Sequence, residues 1–397
     1  MPDHPPEERF VASDGFDLYP GPRVLFGPGR VDRLGGLVRE FGGTHALLCT
    51  DEGVKAAGHA ERAVASLVAA GVTATVWDDV RPNPSTADVD RGVAIAEDAG
   101  VDFLIGFGGG SSMDAAKGVN LVLSGGGPAS KYWGVGKAEG DLLPSIGVPT
   151  TSGTGSEGQS FALISDAETG AKMACGDRRI AFKAAVLDPE LTLSMPRSVS
   201  VATGIDAIAH AVETHVTKPR SAISGLFARR AWGLLAHSFP LVLDHPDDVD
   251  ARGSMLLGSY FAGCAIENSM LGATHALANP ITARFGSTHG EVIGALLPHV
   301  IRFNADPSGP PGLRALYAEL AADIGLEVGD ARGPERLADH LAALFARAEN
   351  PTRVTEFGVT PERFAELSED AVGQWTANFN PRTLQVADAE SIYAVAS

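Results

Sequence analysis

The sequence predicts two domains of different class: a parallel α/β domain over residues 1–196 and an all-helical domain over residues 197–397. Three observations carry this. Short apolar runs alternate with helical patterns through the first half of the chain, the signature of a parallel, open sheet with helical crossovers. Strand signals stop past MPRSVS (residues 195–200), and the composition shift at Pro196 marks the boundary. A chain of 397 residues with 44% apolar side chains can bury a core in each half.

Taken in order, residues 1–15 read as a loose tail. RVLFGPGRVDRL, from Arg23, gives an apolar run, a turn and an amphipathic helix ending near Gly42 and Gly43. HALLCTDEGV is a buried strand ending at Thr50–Asp51, with a helix to Gly71 after it. VTATVWDDV is the next strand, closed by RPNPS, where Pro82 and Pro84 forbid further helix or ladder. TADVDRGVAIAEDAG is a helix, VDFLIGF a strand leading into GGGSSMDAAKGVNLVLS, and residues 124–142 a loop. SIGVPTTSGTGSE adds a strand and a second small-residue loop. Beyond Pro196 helices are predicted at 201–216, 221–238 and 251–270, and within 312–324, 333–349 and 360–376; the last twenty residues carry little signal.

With 49 acidic against 31 basic residues, the net charge of −18 disfavours nucleic acid and anionic membrane surfaces as partners. The three cysteines, Cys49, Cys175 and Cys264, are far apart and odd in number, which points to a reducing compartment rather than a disulfide framework. No signal peptide or eighteen-residue apolar run is seen, so a cytoplasmic protein is expected.

The stretch from Gly204 to His289 holds a candidate metal centre. Asp206 and His210 are four residues apart, so on a helix both side chains point to one side. His275 heads a second turn, which Pro280 is expected to end one residue after Asn279, and His289 follows beyond a short loop. One carboxylate and three imidazoles suit Fe(II) or Zn(II) with room for a substrate oxygen. By spacing alone, histidines satisfied within a core explain the pattern equally well.

Gly108-Gly109-Gly110-Ser111-Ser112 lies between a strand and a helix starting near Met113–Asp114, where glycines let backbone approach a pyrophosphate and helix N–H groups face the anion. It is not a GxGxxG fingerprint. A plain helix cap by Ser111 or Ser112, with Asp114 in the first turn, is compatible with the same residues. Asp51 could accept adenosine ribose hydroxyls and repel a 2′-phosphate, or be a surface turn acid. Residues Thr150 to Glu157 could cover the nicotinamide end, or form only a capped turn.

Together these motifs resemble the iron-containing (group III) alcohol dehydrogenase family. GGGSSMDAAK matches its phosphate loop and PTTSGTGSE its second cofactor loop; KMA from Lys172, DPELT from Asp188, GIDAIAHAVE, LGATHALANP and HGEVIGALLPHV follow in order. The resemblance covers nearly the whole chain. It implies a Rossmann-like, NAD(P)-binding amino-terminal domain and a helical metal-binding domain of the dehydroquinate synthase-like superfamily, with the active site between them and assembly as homodimers or larger oligomers. By position, Asp206, His210, His275 and His289 match the metal ligands. Gly109, Gly110 and Ser111, with Asp114 in the turn that follows, match the pyrophosphate loop. Asp51 matches the acid that favours NAD over NADP. Asn83, Thr150, Thr151 and Thr154 match other cofactor contacts, and Lys172 a lysine near the cofactor.

The chain departs from the family at Asn279, where many members carry a histidine linked to proton relay. Asn279 can hydrogen-bond a substrate or ribose hydroxyl but cannot carry a proton. A smaller departure is Ile266, where many members place phenylalanine. The resemblance implies metal-dependent, NAD(P)-linked interconversion of an alcohol and an aldehyde or ketone, with His275, Lys172 and Asn279 at the reacting centre. Phe161, Ile266 and Leu271 are expected to line the substrate pocket, or else to be ordinary core. Alternatives are an oxoacid reductase of the maleylacetate reductase type, a lyase of the dehydroquinate synthase type that recycles NAD, and a non-catalytic binding protein.

Overall fold

A computed structural model describes residues 15–18, 21–326 and 332–397; apart from Gly15, the expected tail lies outside them. Among the described residues, the strands in chain order are β1 (Arg23–Phe26), β2 (His45–Cys49), β3 (Thr73–Trp77), β4 (Phe103–Gly108), β5 (Gly134–Val135), β6 (Ser145–Pro149), β7 (Phe161–Ser165), β8 (Lys172–Gly176) and β9 (Ala184–Leu187). Six form one parallel sheet in the order β1-β9-β6-β4-β2-β3. The inner strands are apolar on both faces: Ala46 and Leu48 of β2 join Phe103, Ile105 and Phe107 of β4 in one core, while Leu47, Cys49 and Leu104 enter another. That two-sided burial is why these strands read as unbroken apolar runs.

The helices of this half are α1 (Leu34–Glu40), α2 (Glu52–Ala56), α3 (His59–Ala69), α4 (Thr86–Ala99) and α5 (Gly110–Gly125). The single helix expected after Asp51 is two, broken at Gly58 in the left-handed conformation. From β2 the chain moves outward to β3, then returns to the other flank of β2 as β4. The turns after β2 and β4 therefore border the switch point of the sheet, where ligands of open α/β folds bind.

A second, three-stranded sheet (β5-β8-β7) was not expected from the sequence, nor was β9. These strands are two to five residues long, too short for their alternation to stand out. They also interrupt the simple strand–helix rhythm.

The second half is helical: α6 (Arg197–Val216), α7 (Ala222–Asp244), α8 (Val249–Ser269), α9 (Ala273–Phe285), α10 (His289–Asn304), α11 (Leu313–Asp323), α12 (Gly333–Arg347), α13 (Phe364–Gly373) and α14 (Val386–Val395). α6 is the central helix, buried on nearly every side from Ser200 to Val216. Contrary to expectation, Pro280 does not end its helix. α9 runs through it to Phe285, as α7 runs through Pro240 and α10 through Pro298. Pro280 is buried, and Ile281 after it is in the main core, so packing holds the turn despite one lost backbone bond. The final residues, unassigned from sequence, form α14 behind a Gln385–Asp388 capping box. No helix among the described residues is long and apolar enough to cross a membrane.

Candidate metal and cofactor site

A cleft of about 1410 Å³ runs from the switch point of the large sheet to α6, α9 and α10. It is lined at one end by Asp51, Gly109 and Ser111, and at the other by Asp206, His210, His275 and His289.

At the helical end α6 presents Asp206, His210 and Glu213, residues i, i+4 and i+7 of one face. His275 comes from the first turn of α9 and His289 opens α10. The Nε2 atoms of three rings converge on a single oxygen, Asp206 Oδ1: His275 at 3.3 Å, His210 at 3.4 Å and His289 at 3.8 Å. A tetrahedral ion with bonds of about 2.1 Å sets its donor atoms roughly 3.4 Å apart, a spacing that His275 and His210 match from Asp206, with His289 somewhat farther out. The rings of His210 and His275 stack at 4.8 Å, and one donor atom each from Asp206, His210 and His275 falls within 4.8 Å of the others.

Electrostatics agree with geometry. Burial opposes a charge on Asp206, but the three imidazoles outweigh it and hold the carboxyl far below its usual range. Burial pushes His289 down to about 3 and His210 down as well, leaving neutral rings with lone pairs to offer. His275 differs. Burial works against its charge, yet Glu213 and Asp206 prevail and raise it to about 9. Glu213, which sequence reasoning missed, accepts from His275 Nδ1 and from the backbone N–H of Thr274 at 2.6 Å. A carboxylate behind a ligating histidine fixes its tautomer and orientation. The signal that could have found Glu213 is its spacing from Asp206 and His210.

At the other end, β4 runs into α5 through Gly108, and the first residues of the helix face the cleft. The helix starts from Gly109, and no side chain of the described residues caps it. The cap anticipated from Ser111 or Ser112 is not made: Ser111 Oγ accepts instead from Asn83 N at 3.1 Å. A β-carbon at Gly110 would stand 2.7 Å from Thr154, so a bare backbone is required where the two loops meet. The open N–H groups of a sixteen-residue helix suit a pyrophosphate. Asp51 caps α2 through a bond from Val54 N at 3.0 Å and also borders the cleft. Asp114 also borders the cleft and accepts from Ser156 Oγ at 2.8 Å.

Between these ends stand Thr150, Thr151, Thr154 and Lys172, all on the cleft. Lys172 Nζ donates to Asn83 Oδ1 at 3.3 Å; burial lowers its pKa, partly offset by Asp114 and Asp206. Asn83 adopts φ 53° between two prolines, which turns its backbone N–H to Ser111 and its side chain to Lys172. A second lysine, Lys117, was overlooked. Fully buried, it donates to Ser156 O, Ser156 Oγ, Gln159 O and Phe161 O at 2.7–2.9 Å and holds the end of the loop that starts at Thr150 in shape. Phe161, Ile266 and Leu271 all border the cleft, as does Asn279, whose Nδ2 donates to Gln374 Oε1 at 3.2 Å.

A parallel α/β domain and a helical domain, with a nucleotide-type helix terminus facing a carboxylate–histidine cluster, define a metal- and dinucleotide-binding protein. The sequence matches the iron-containing alcohol dehydrogenase model over residues 21–189 and the carboxy-terminal model of the same family over 200–397. The chain belongs to the iron-containing alcohol dehydrogenase family. It is similar to the NAD-dependent methanol dehydrogenase of Bacillus methanolicus (31% identity, covering 94% of this chain and 97% of the relative). It is similar too to the lactaldehyde reductase of Escherichia coli K12 (30%, covering 94% and 97%). A crystal structure of a 1,3-propanediol oxidoreductase superposes with a TM-score of 0.92 at 28% identity, covering 96% of this chain and all of that one.

Proposed function

We propose that this protein is an NAD-linked, metal-dependent alcohol dehydrogenase, interconverting a small alcohol with its aldehyde or ketone. One observation carries the proposal: a donor set of one carboxylate and three imidazoles shares a cleft with the open terminus of a helix that follows a parallel strand. Asp206, His210, His275 and His289 would hold the ion, iron(II) or zinc(II). Gly109, Gly110 and Ser111 would hold the pyrophosphate, with Asn83, Asp114, Thr150, Thr151 and Thr154 around the remainder of the cofactor. When bound, the ion supplies Lewis-acid polarisation of the substrate oxygen, and NAD supplies the hydride acceptor.

The chain's own residues set the stage for that chemistry. Glu213 holds the Nδ1 proton of His275 and so turns Nε2 into the cleft. Asp51 would accept ribose hydroxyls and, by its charge, select NAD over NADP. Lys172, beside Asn83, adds a positive charge along the cofactor's path. Asn279 can accept a hydroxyl proton donor through its carbonyl oxygen, but proton removal must bypass it. We place the division between the two domains at Pro196, and the protein in the cytoplasm as a homodimer or larger assembly.

The test is metal content of freshly purified protein, paired with NADH formation from short alcohols and diols with and without chelator. About one iron or zinc per chain with chelator-sensitive turnover is expected. The His275→Ala variant should lose both metal and activity; its retention of both would overturn the proposal. Stoichiometric metal with no NADH from any alcohol would favour the lyase alternative.

A further inference from the structure

Two aromatic residues that the mechanism does not use, Phe161 and Trp375, line the cleft. Trp375, in the turn after α13, meets Phe161 of β7 with ring centroids 5.9 Å apart and planes inclined by 40°. The two rings come from opposite halves of the molecule, and both border the cleft. Each is held from behind. Phe161 pairs across the small sheet with Gly176, where a β-carbon would overlap its ring, so the glycine leaves the space the ring occupies. Trp375 packs edge-on against Phe379 at 5.4 Å.

The contact is linked to the metal end of the cleft. Gln374, the residue before Trp375, accepts from Asn279, one turn along α9 from the ligand His275. Ile266, Met270 and Leu271 complete this apolar end of the cleft. Trp375 keeps 40% of its surface exposed, so it is the outer boundary of the pocket rather than part of the core.

We propose that Trp375, braced against Phe161, sets the size limit of the substrate, admitting short-chain alcohols and rejecting longer ones. This rests on the alcohol dehydrogenase reading above. Removing the indole opens the end wall, and each methylene that then finds room is worth roughly fourfold in binding.

The experiment uses metal-loaded, full-length native protein, Trp375→Ala, Trp375→Phe and Phe161→Ala, with NAD and primary alcohols from ethanol to 1-hexanol. In Trp375→Ala, kcat/KM for ethanol should stay within about threefold of native while that for 1-hexanol rises about tenfold or more; Trp375→Phe should fall between. Phe161→Ala opens the same contact from the other side and replaces Trp375→Ala if that variant does not fold. A parallel or uniform change at every chain length would overturn the proposal. Calorimetric binding of the same alcohols to the NADH complex reads the size limit without turnover. If no alcohol is oxidised by any form while binding of 1-hexanol still tightens in the variants, the dehydrogenase reading fails and the size limit stands. If binding is equally indifferent to Trp375, the size limit fails.

Discussion

Glu213 and His275 face each other across the α6–α9 contact, and the carboxylate takes the Nδ1 proton of the ring whose Nε2 lies 3.3 Å from Asp206. Both are buried, and Glu213 also receives the backbone N–H of Thr274, so one carboxylate fixes where α9 begins and how its histidine turns. The metal centre therefore depends on a residue that would not touch the ion.

Glu213→Gln keeps a hydrogen-bond acceptor of the same shape but removes the charge that makes His275 a strong donor. Metal affinity, read by competition with a chelator, should fall about 10–100-fold, the usual cost of losing such a supporting carboxylate. Glu213→Ala should be worse, because the buried Nδ1–H and Thr274 N–H are then unpaired. Unchanged affinity in both variants would remove Glu213 from the site.

Metal uptake should depend on pH through His275. Its pKa is raised to about 9, so in the metal-free protein the ring is protonated at neutral pH, and an ion must displace that proton. Burial lowers the pKa values of His210 and His289, opposite to His275, so His275 carries the main proton to displace. Affinity should thus rise about tenfold per pH unit between pH 6 and 9, then level off. Chelator competition across that range measures it, and a flat response would contradict the assignment.

Asp51 carries two duties that one substitution can separate. As the cap of α2 it accepts Val54 N, a role asparagine fills equally well. As the acid at the switch point, it would repel a 2′-phosphate. Asp51→Asn should leave the melting temperature within about 1 °C while moving the NAD:NADP ratio of kcat/KM at least about tenfold toward NADP. Asp51→Ala should make the same shift and also lose about 1 kcal/mol of stability. A ratio untouched by either change would assign Asp51 to the cap alone.

Much of this could be read from the chain, and the unread parts share a cause. The strands β2, β3, β4 and β6 were legible because apolar runs are local, and the shared face of Asp206 and His210 because i, i+4 spacing is local; the grouping of His275 and His289 with them came from the family resemblance. Pro280 misled because its local preference to end a helix is outweighed by burial supplied from distant residues. Lys117, Gln374 and Trp375 were invisible for the same reason: their partners lie 39, 95 and 214 residues away, and nothing in the nearby sequence marks them. Glu213, whose partner lies 62 residues away, was marked only by its spacing from Asp206 and His210.

Asn279 offers the sharpest test of how the reaction disposes of its proton. The side chain borders the cleft one turn from His275 and is tied to Gln374, so it is placed to touch a substrate hydroxyl, yet an amide has no proton to trade near neutral pH. The native pH profile of kcat/KM should therefore lack any limb from this position. Asn279→His installs a ring that titrates near pH 6.5 when unperturbed. Below that pH the imidazolium cannot accept a proton and would repel a bound cation; above it the neutral ring can serve as a base. The variant should gain a new limb between pH 6 and 7, with its activity relative to native climbing about threefold across it. Asn279→Ala, which removes hydrogen bonding alone, should lower kcat/KM by a factor constant with pH. If the histidine variant instead tracks the native profile from pH 6 to 9, no proton passes through position 279, and the route out of the cleft runs past it to solvent.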